Sequence, residues 1–249
     1  MKKVFLVFIV CVLSLNVLKA QIAKGNLFVG TSIGSTAYNF GTSTYNYSDG
    51  NVKTQDQNEY TLSLSPTMGI FVTNHLILGG NLNLAYSNNT VNYNNTTAST
   101  VKSNSTTITN TVSVGPFFRY YFYDGKPTKS LLFFQGNAAI GTGGGSSTGY
   151  TLSTNTSTSN SSGTTTGLFN YKLGAAIGFT QFIQNNIGFD LSVGYAYNYE
   201  SYTNSVNTQT ISSTGVPSSS TTSIDATIPQ NGITLSAGFH FYLRKNKKK

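Results

Sequence analysis

Few residues of this chain could carry out acid–base, nucleophilic or metal chemistry. The 249 residues include two histidines, His75 and His240, one cysteine, Cys11, and seven acidic residues. Hydrolysis would require a histidine beside a nucleophile, or a pair of carboxylates, at an accessible position. The two histidines are far apart in the sequence, and the carboxylates have no metal-ligand spacing. The sequence therefore predicts a protein that is not an enzyme and that has no metal or cofactor.

The net charge of +8 comes from the two ends of the chain. Eight of the 15 basic residues are Lys2, Lys3 and Lys19 together with the five in residues 244–249. The other seven are balanced by seven acidic residues. A nucleic-acid-binding groove needs clustered lysine and arginine. The sequence therefore predicts that nucleic acid is not a partner.

The first twenty residues have the three-part pattern of a secretory signal. Lys2 and Lys3 precede an apolar run over residues 4–15, and Ala20 comes directly before Gln21. This predicts export and cleavage after Ala20, within a residue or two. The alternative is a retained anchor, but the run is short for a membrane span and no stop-transfer flank follows it. Because Cys11 lies inside the run, the mature chain is predicted to have no disulfide and no catalytic cysteine.

Residues 21–243 are predicted to form eight β-strands, because apolar and small polar residues alternate there with period two. In one segment, Phe189 and Leu191 alternate with Asp190 and Ser192. Short connections at 73–75, 123–129 and 184–186 take turns with long polar segments at 41–59, 88–106, 142–166 and 201–231. This order predicts an all-β, eight-stranded antiparallel up-and-down transmembrane β-barrel, with short turns on one side and mobile loops on the other. Part of 201–231 could instead continue the barrel as a hairpin above the membrane.

The two faces of the predicted strands differ in size and polarity. One face carries Leu, Ile, Phe and Tyr, and the other carries mainly Gly, Ser, Thr and Asn. An eight-stranded barrel has interior room only for side chains that fill it, so the small face is predicted to line the lumen and the large face to meet lipid. Two aromatic girdles follow from this orientation. We expect Tyr86, Tyr195, Tyr197 and Tyr199 toward the long loops, and Tyr120, Phe122 and Phe241 toward the short turns. A soluble β-sandwich is the alternative, but it would not explain the alternating loop lengths.

Five ionisable residues fall on the predicted lumen face: Arg119, Lys172, Asp190, Glu200 and His240. Charges in a barrel interior are costly unless they are paired. We expect Lys172 and Glu200 to lie one diagonal apart on neighbouring strands, and Asp190 to meet Arg119 across the lumen. The favoured interpretation is a structural network that rigidifies the barrel. A path for ions or protons is the alternative.

The last strand resembles the assembly signal of a known family. Ser236, Gly238, Phe241 and Leu243 follow its pattern of a polar residue, a glycine, an aromatic residue and an apolar residue. On these residues and on the strand pattern, residues 24–243 resemble the small eight-stranded outer-membrane β-barrels of Gram-negative bacteria, the OmpA-like and OmpX-like outer membrane protein beta-barrel domain. The basic tail 244–249 and the absence of tryptophan depart from that family.

The resemblance implies a location and a role. It implies insertion into outer-membrane lipid by the barrel assembly machinery, which would read the last strand. It also implies a non-enzymatic envelope protein, with surface interaction or adhesion to a host or environmental surface through the long loops. A narrow pore for small solutes and an outer-membrane lipid-modifying enzyme are the alternatives.

Overall fold

The computed structural model describes residues 22–47, 52–95, 101–122, 129–153, 157–211 and 215–244. The predicted signal and tail residues 245–249 lie outside these ranges. The eight strands are β1 Leu27–Tyr47, β2 Val52–Phe71, β3 Leu76–Asn95, β4 Val101–Phe122, β5 Ser130–Ser153, β6 Ser157–Gln184, β7 Ile187–Ile211 and β8 Pro217–Leu243. No helix within the described ranges is long and apolar enough to cross a membrane.

Each strand pairs antiparallel with the next, and β8 pairs with β1, so the sheet closes into a barrel. The closing ladder runs from Leu27 opposite Leu243 to Tyr47 opposite Ile224. The predicted eight-stranded antiparallel up-and-down barrel is confirmed. The described chain enters β1 and leaves β8 at the end of the barrel that carries the short turns.

The strands are far longer than predicted, and the expectation of four long loops is wrong. The described residues of segments 41–59, 88–106, 142–166 and 201–231 continue the strands. Ser153 pairs with Ser157 and Ile211 pairs with Pro217, so the ladders run up to the turns. The idea that part of 201–231 extends the barrel as a hairpin agrees with this register. In these segments both faces of the strands carry mostly polar residues, so the sequence has no hydrophobic period from which strands could be predicted. Only the many threonines, which favour β-strands, indicate the structure. We call the described residues of these four segments the upper extension.

An apolar belt surrounds the other half of the barrel. Its exposed and half-exposed side chains occupy alternate positions over residues 60–70 of β2, 169–179 of β6, 189–199 of β7 and 233–243 of β8. Each of these ranges spans eleven residues, and a tilted strand needs about 9–11 residues to cross a bilayer. The strands themselves have 20 to 28 residues. About half of each strand therefore lies beyond the thickness of a hydrocarbon layer.

The aromatic residues predicted as girdles lie on the outward face of the barrel. Tyr120, Phe122 and Phe241 are exposed near the short turns, and Tyr86 and Tyr195 are exposed at the other margin of the belt. Beside the latter group, the ring of Tyr171 stacks on Tyr199 at 4.8 Å and packs against Tyr197 at 5.9 Å between centroids. The ring stack joins β6 to β7 at the border between the belt and the upper extension.

Candidate functional site

The lumen at the short-turn end is filled by large side chains, which we call the plug. Every strand except β7 contributes at least one residue among those described. The plug consists of Ile22, Phe28, Phe71, Ile77, Phe117, Tyr121, Leu131, Phe133, Phe182 and Tyr242, all of them buried. Its rings meet across the lumen, for example Phe71 of β2 and Tyr242 of β8 at 6.2 Å between centroids. The expectation of a lumen lined only by small and polar residues is therefore wrong at this end.

The plug residues share one sequence signal that could have revealed them. Inward-facing glycines of neighbouring strands lie beneath the plug rings. A Cβ atom added to Gly79 would lie 2.5 Å from Phe117 Cε1, and one added to Gly178 would lie 2.6 Å from Phe133 Cζ. Inward glycines near a strand end therefore indicate large inward neighbours. The aromatic cluster in 117–122 hides this signal, because bulky residues there point both inward and outward.

The segment before β1 closes the plug from below. Gly25 has a φ of 89°, in the left-handed region that glycine tolerates, and its N–H donates to the carbonyl oxygen of Phe71 at 2.7 Å. The N–H of Phe71 donates in return to the carbonyl oxygen of Asn26 at 3.0 Å. This turn carries Ile22 under the barrel, where the side chain is buried among the plug residues.

Arg119 and Asp190 form an ion pair inside the plug. They lie on β4 and β7, which are not neighbouring strands, and Arg119 Nη1 donates to Asp190 Oδ2. Both side chains are only 6% exposed. The Asp190 Oδ2 atom also lies 2.9 Å from His240 Nδ1. The structure thus brings together three of the five ionisable residues that the sequence placed in the lumen.

Three of the four remaining N–H donors of the Arg119 guanidinium are also used. Its Nε and Nη2 donate to Gln135 Oε1 at 2.9 and 2.7 Å, and Nη1 donates to the Tyr121 hydroxyl at 3.1 Å. The guanidinium lies over the ring of Phe133, with Cζ at 4.0 Å from its centroid. A buried arginine held by a carboxylate, an amide, a hydroxyl and a ring has little freedom to move.

Two tyrosine hydroxyls complete the network beneath the ion pair. The Tyr121 and Tyr242 hydroxyl oxygens are 2.7 Å apart, and Tyr121 Oη lies 3.4 Å from Thr180 Oγ1. The His240 ring stacks on Phe28 at 4.6 Å between centroids. His240 is 1% exposed, so a substrate in solution cannot reach its imidazole. This geometry suits a rigid closure and does not suit acid–base catalysis.

Lys172 and Glu200 lie higher in the lumen than the plug. Lys172 is opposite Asn198 and Glu200 is opposite Asn170, so the two charged residues are one diagonal apart on β6 and β7. Both line a cavity of about 30 Å³. Glu200 Oε1 accepts a hydrogen bond from Asn198 Nδ2 at 3.0 Å. The buried Glu200 carboxylate therefore has the neutral amide of Asn198 beside it, and Lys172 lies one diagonal away on β6.

A second cavity, of about 100 Å³, extends from Gln135 on the plug up to Lys172. Serine, threonine and asparagine side chains line most of it, and the buried Asn81 Oδ1 has no hydrogen-bond partner among the residues that the structure describes. A polar cavity of this size has room for about three water molecules. Above it, Leu168, Tyr202, Ala226 and Ile228 form a second buried apolar cluster. Plug, polar cavities and apolar cluster thus follow one another along the described lumen.

The four residues of the predicted assembly signal are divided between the two faces of β8, with Ser236 and Gly238 on the lumen side. Ser236 Oγ lies 2.6 Å from Ser192 Oγ on the lumen side. A Cβ on Gly238 would lie 2.6 Å from the Thr31 carbonyl oxygen, so the closing contact with β1 requires glycine there. Phe241 and Leu243 are exposed in the belt. His75, outside this strand, lies at a short turn with its ring stacked on Tyr120.

The described residues contain no group of three or more His, Cys, Asp or Glu side chains that could hold a metal ion. No protein-family model and no curated protein sequence matches the chain.

The chain is similar to several solved structures of outer-membrane proteins. The outer membrane protein OprG from Pseudomonas aeruginosa is 12% identical with a TM-score of 0.48, and the match covers 92% of this chain and all of that one. Neisserial surface protein A is 13% identical with a TM-score of 0.29, covering 86% of this chain and 96% of that one. The attachment invasion locus protein Ail of Yersinia pestis is 10% identical with a TM-score of 0.26, covering 85% and 99%. At these values the assignment of the fold rests on the strand register of the chain itself.

Proposed function

We propose that the chain is an integral outer-membrane β-barrel of a Gram-negative bacterium, without enzymatic activity, which serves envelope structure and surface attachment. The observation that carries the proposal is the apolar belt around a closed barrel. Large apolar side chains such as Ile33, Met68 and Leu132 are about 60% exposed there. A water-soluble protein rarely exposes so continuous an apolar surface, whereas hydrocarbon requires it.

The filled lumen favours a structural role over the alternative of a narrow pore. The plug residues and the Arg119–Asp190 pair occupy the barrel axis at the short-turn end. A solute could pass only if several buried aromatic rings moved together. The alternative of a lipid-modifying enzyme is disfavoured because His240 is buried within this plug.

The upper extension supports the attachment part of the proposal. Its strands project beyond the belt, and serine, threonine and asparagine dominate their sequence. A polar sheet that projects from a membrane presents its outer end to a facing surface. We propose a host or environmental surface as the partner. Export by the predicted signal and insertion by the barrel assembly machinery belong to the same proposal.

Fractionation and conductance measurements test the proposal. We expect the protein in the outer-membrane fraction, starting near Gln21, and running differently on a gel before and after boiling, because a closed barrel resists detergent. In planar bilayers we expect no stepwise conductance. Recovery in the periplasm would contradict the location. Steady channels of the wild-type protein would favour the pore, and an altered lipid A mass profile on expression would favour the enzyme.

A further inference from the structure

Lys172 places an amine in the lumen that neither the plug nor the belt uses. Within the residues that the structure describes, no hydrogen bond or ion pair joins Lys172 to another side chain. The residue instead borders both polar cavities. A charge in a closed lumen is costly unless it is paired, and a lysine that loses its proton there becomes a nucleophile.

Asn198 is the residue directly opposite this lysine. The register pairs Lys172 of β6 with Asn198 of β7, and both residues line the cavity of about 30 Å³. Directly opposite residues of an antiparallel pair have Cβ atoms about 4.5–5.5 Å apart. The flexible four-carbon stem of a lysine is long enough to bring its nitrogen to the carboxamide of such a neighbour. An amine and a carboxamide therefore share one small cavity.

The Glu200 carboxylate is bound to the same carboxamide. Asn198 Nδ2 donates to Glu200 Oε1 at 3.0 Å, and Glu200 is 6% exposed. Glu200 also lies one diagonal from Lys172. A carboxyl group in this place can exchange protons with the lysine amine and with the amide nitrogen. The three side chains thus supply a nucleophile, an acyl group and an acid–base group.

We propose that Lys172 and Asn198 become joined by an isopeptide bond, with Glu200 as the catalytic residue. The Lys172 ammonium gives a proton to the Glu200 carboxylate, and the neutral Nζ then attacks Asn198 Cγ. The Nζ–Cγ bond forms and the Cγ–Nδ2 bond breaks, while Glu200 gives its proton to Nδ2 and takes one from Nζ. Ammonia leaves through the cavity, and no group is oxidised or reduced.

The reaction removes two charges from the middle of the lumen. An ammonium and a carboxylate are present before it, whereas a neutral amide and a protonated Glu200 remain after it. Because charges without a direct partner are costly in a closed lumen, the folded barrel favours the products. The new bond ties β6 to β7, strands of 28 and 25 residues. It closes a covalent loop over 172–198 that withstands boiling.

Peptide mapping of the full chain tests the proposal. The folded protein is purified in detergent, boiled, digested and analysed by mass spectrometry. We expect the peptides that carry Lys172 and Asn198 to be recovered as one branched pair, lighter than their sum by about 17 Da, the mass of ammonia. Lys172→Arg and Asn198→Ser should each abolish the branched pair. Glu200→Gln should lower the linked fraction by roughly tenfold or more, because the proton transfers lose their carrier.

Asn83→Ser is the matched control, because Asn83 lines the same cavity but lies on β3 and donates to Ser65 Oγ at 2.8 Å. It should leave the branched pair in place. Unaltered gel migration before boiling verifies that each variant is folded.

Two outcomes would overturn the proposal. Recovery of Lys172 and Asn198 only on separate peptides of the folded wild type would show that the bond does not form. Equal linkage in folded Glu200→Gln would remove the catalytic role of Glu200. Neither outcome depends on the membrane location or on attachment, so the bond is tested independently of the proposed function.

Discussion

At the scale of single residues, the Arg119–Asp190 pair illustrates the cost of charge in a closed lumen. Each side chain is 6% exposed, so removing one partner leaves the other charge buried and uncompensated. We expect Arg119→Met to lower the free energy of unfolding by about 3–5 kcal/mol. The measurement is the urea midpoint of the barrel in detergent, followed by gel migration before boiling.

The matched control for that change is Arg119→Met combined with Asp190→Asn. Removing both charges should recover much of the lost stability, because no unpaired charge remains. If the single and double variants had the same midpoint, packing of the arginine on Phe133 would be the main contribution instead of its charge.

Two adjacent glycines of β3 test how the plug is accommodated. A Cβ on inward-facing Gly79 would lie 2.1 Å from the Met68 carbonyl oxygen, whereas one on outward-facing Gly80 would meet only the Gly115 carbonyl oxygen at 3.7 Å. We expect Gly79→Ala to destabilise the barrel by about 1–3 kcal/mol or to reduce its assembly, and Gly80→Ala to be nearly neutral. The fraction that is heat-modifiable is the readout, and equal effects would contradict the close packing.

At the scale of the strands, hydrophobic alternation was sufficient to predict the belt and the order of the barrel but not the length of its strands. Period two is visible in β7 as long as outward Leu191 and Val193 alternate with inward Ser192 and Gly194. From Ser201 upward, both faces of β7 are mostly polar and no period remains. Backbone pairing between the hairpin arms decides the structure there, and such pairing leaves no trace in local polarity.

The lumen shows the same limit on sequence reasoning. The contact between Arg119 and Asp190 could be predicted, because both residues fall on the lumen face of their strands and a buried charge has few possible partners. The plug could not be predicted, because Tyr121 and Phe133 are of the same residue types as the belt and differ from it only in the face of the strand on which they lie. If the predicted register of a strand is shifted by one residue, the lumen-facing and lipid-facing side chains at its end are exchanged.

Strand β8 gives a prediction at this scale. Phe241 is 44% exposed in the belt, while Thr227 lies on the same strand within the upper extension. We expect Phe241→Asp to reduce membrane-inserted protein, because it alters the predicted assembly signal and because a charge on the lipid face costs up to about 1 kcal/mol near the membrane interface, where this girdle residue lies. Thr227→Asp is the control and should insert normally.

Deleting residues 245–249 separates the assembly signal from the tail. The tail follows the last belt residue, Leu243, so the deletion should leave insertion close to that of the wild type. Inserted protein is quantified in washed outer membranes. A loss as large as that of Phe241→Asp would place the tail within the recognised element.

At the scale of the whole molecule, the barrel divides into a half that is built to stay in lipid and a half that is built to project. The plug and the belt belong to the first half, and no plug residue lies in the upper extension. The β5–β6 and β7–β8 hairpins can therefore be shortened by joining Gly143 to Leu168 and Tyr202 to Ala226 through two-residue Asn-Gly turns. Both junctions retain the buried cluster of Leu168, Tyr202, Ala226 and Ile228.

We expect the doubly shortened barrel to insert and to remain heat-modifiable, because closure of the ladders below the junctions supplies its stability. We expect it to lose the surface attachment that the intact protein confers on cells, since most of the projecting sheet on β5–β8 is gone. Attachment is measured with equal amounts of inserted protein, and a barrel shortened only at β5–β6 serves as the intermediate control. Full attachment by the doubly shortened barrel would move the interaction to the β1–β4 side of the rim, while failure to insert would show that the projecting strands are needed for the barrel to close.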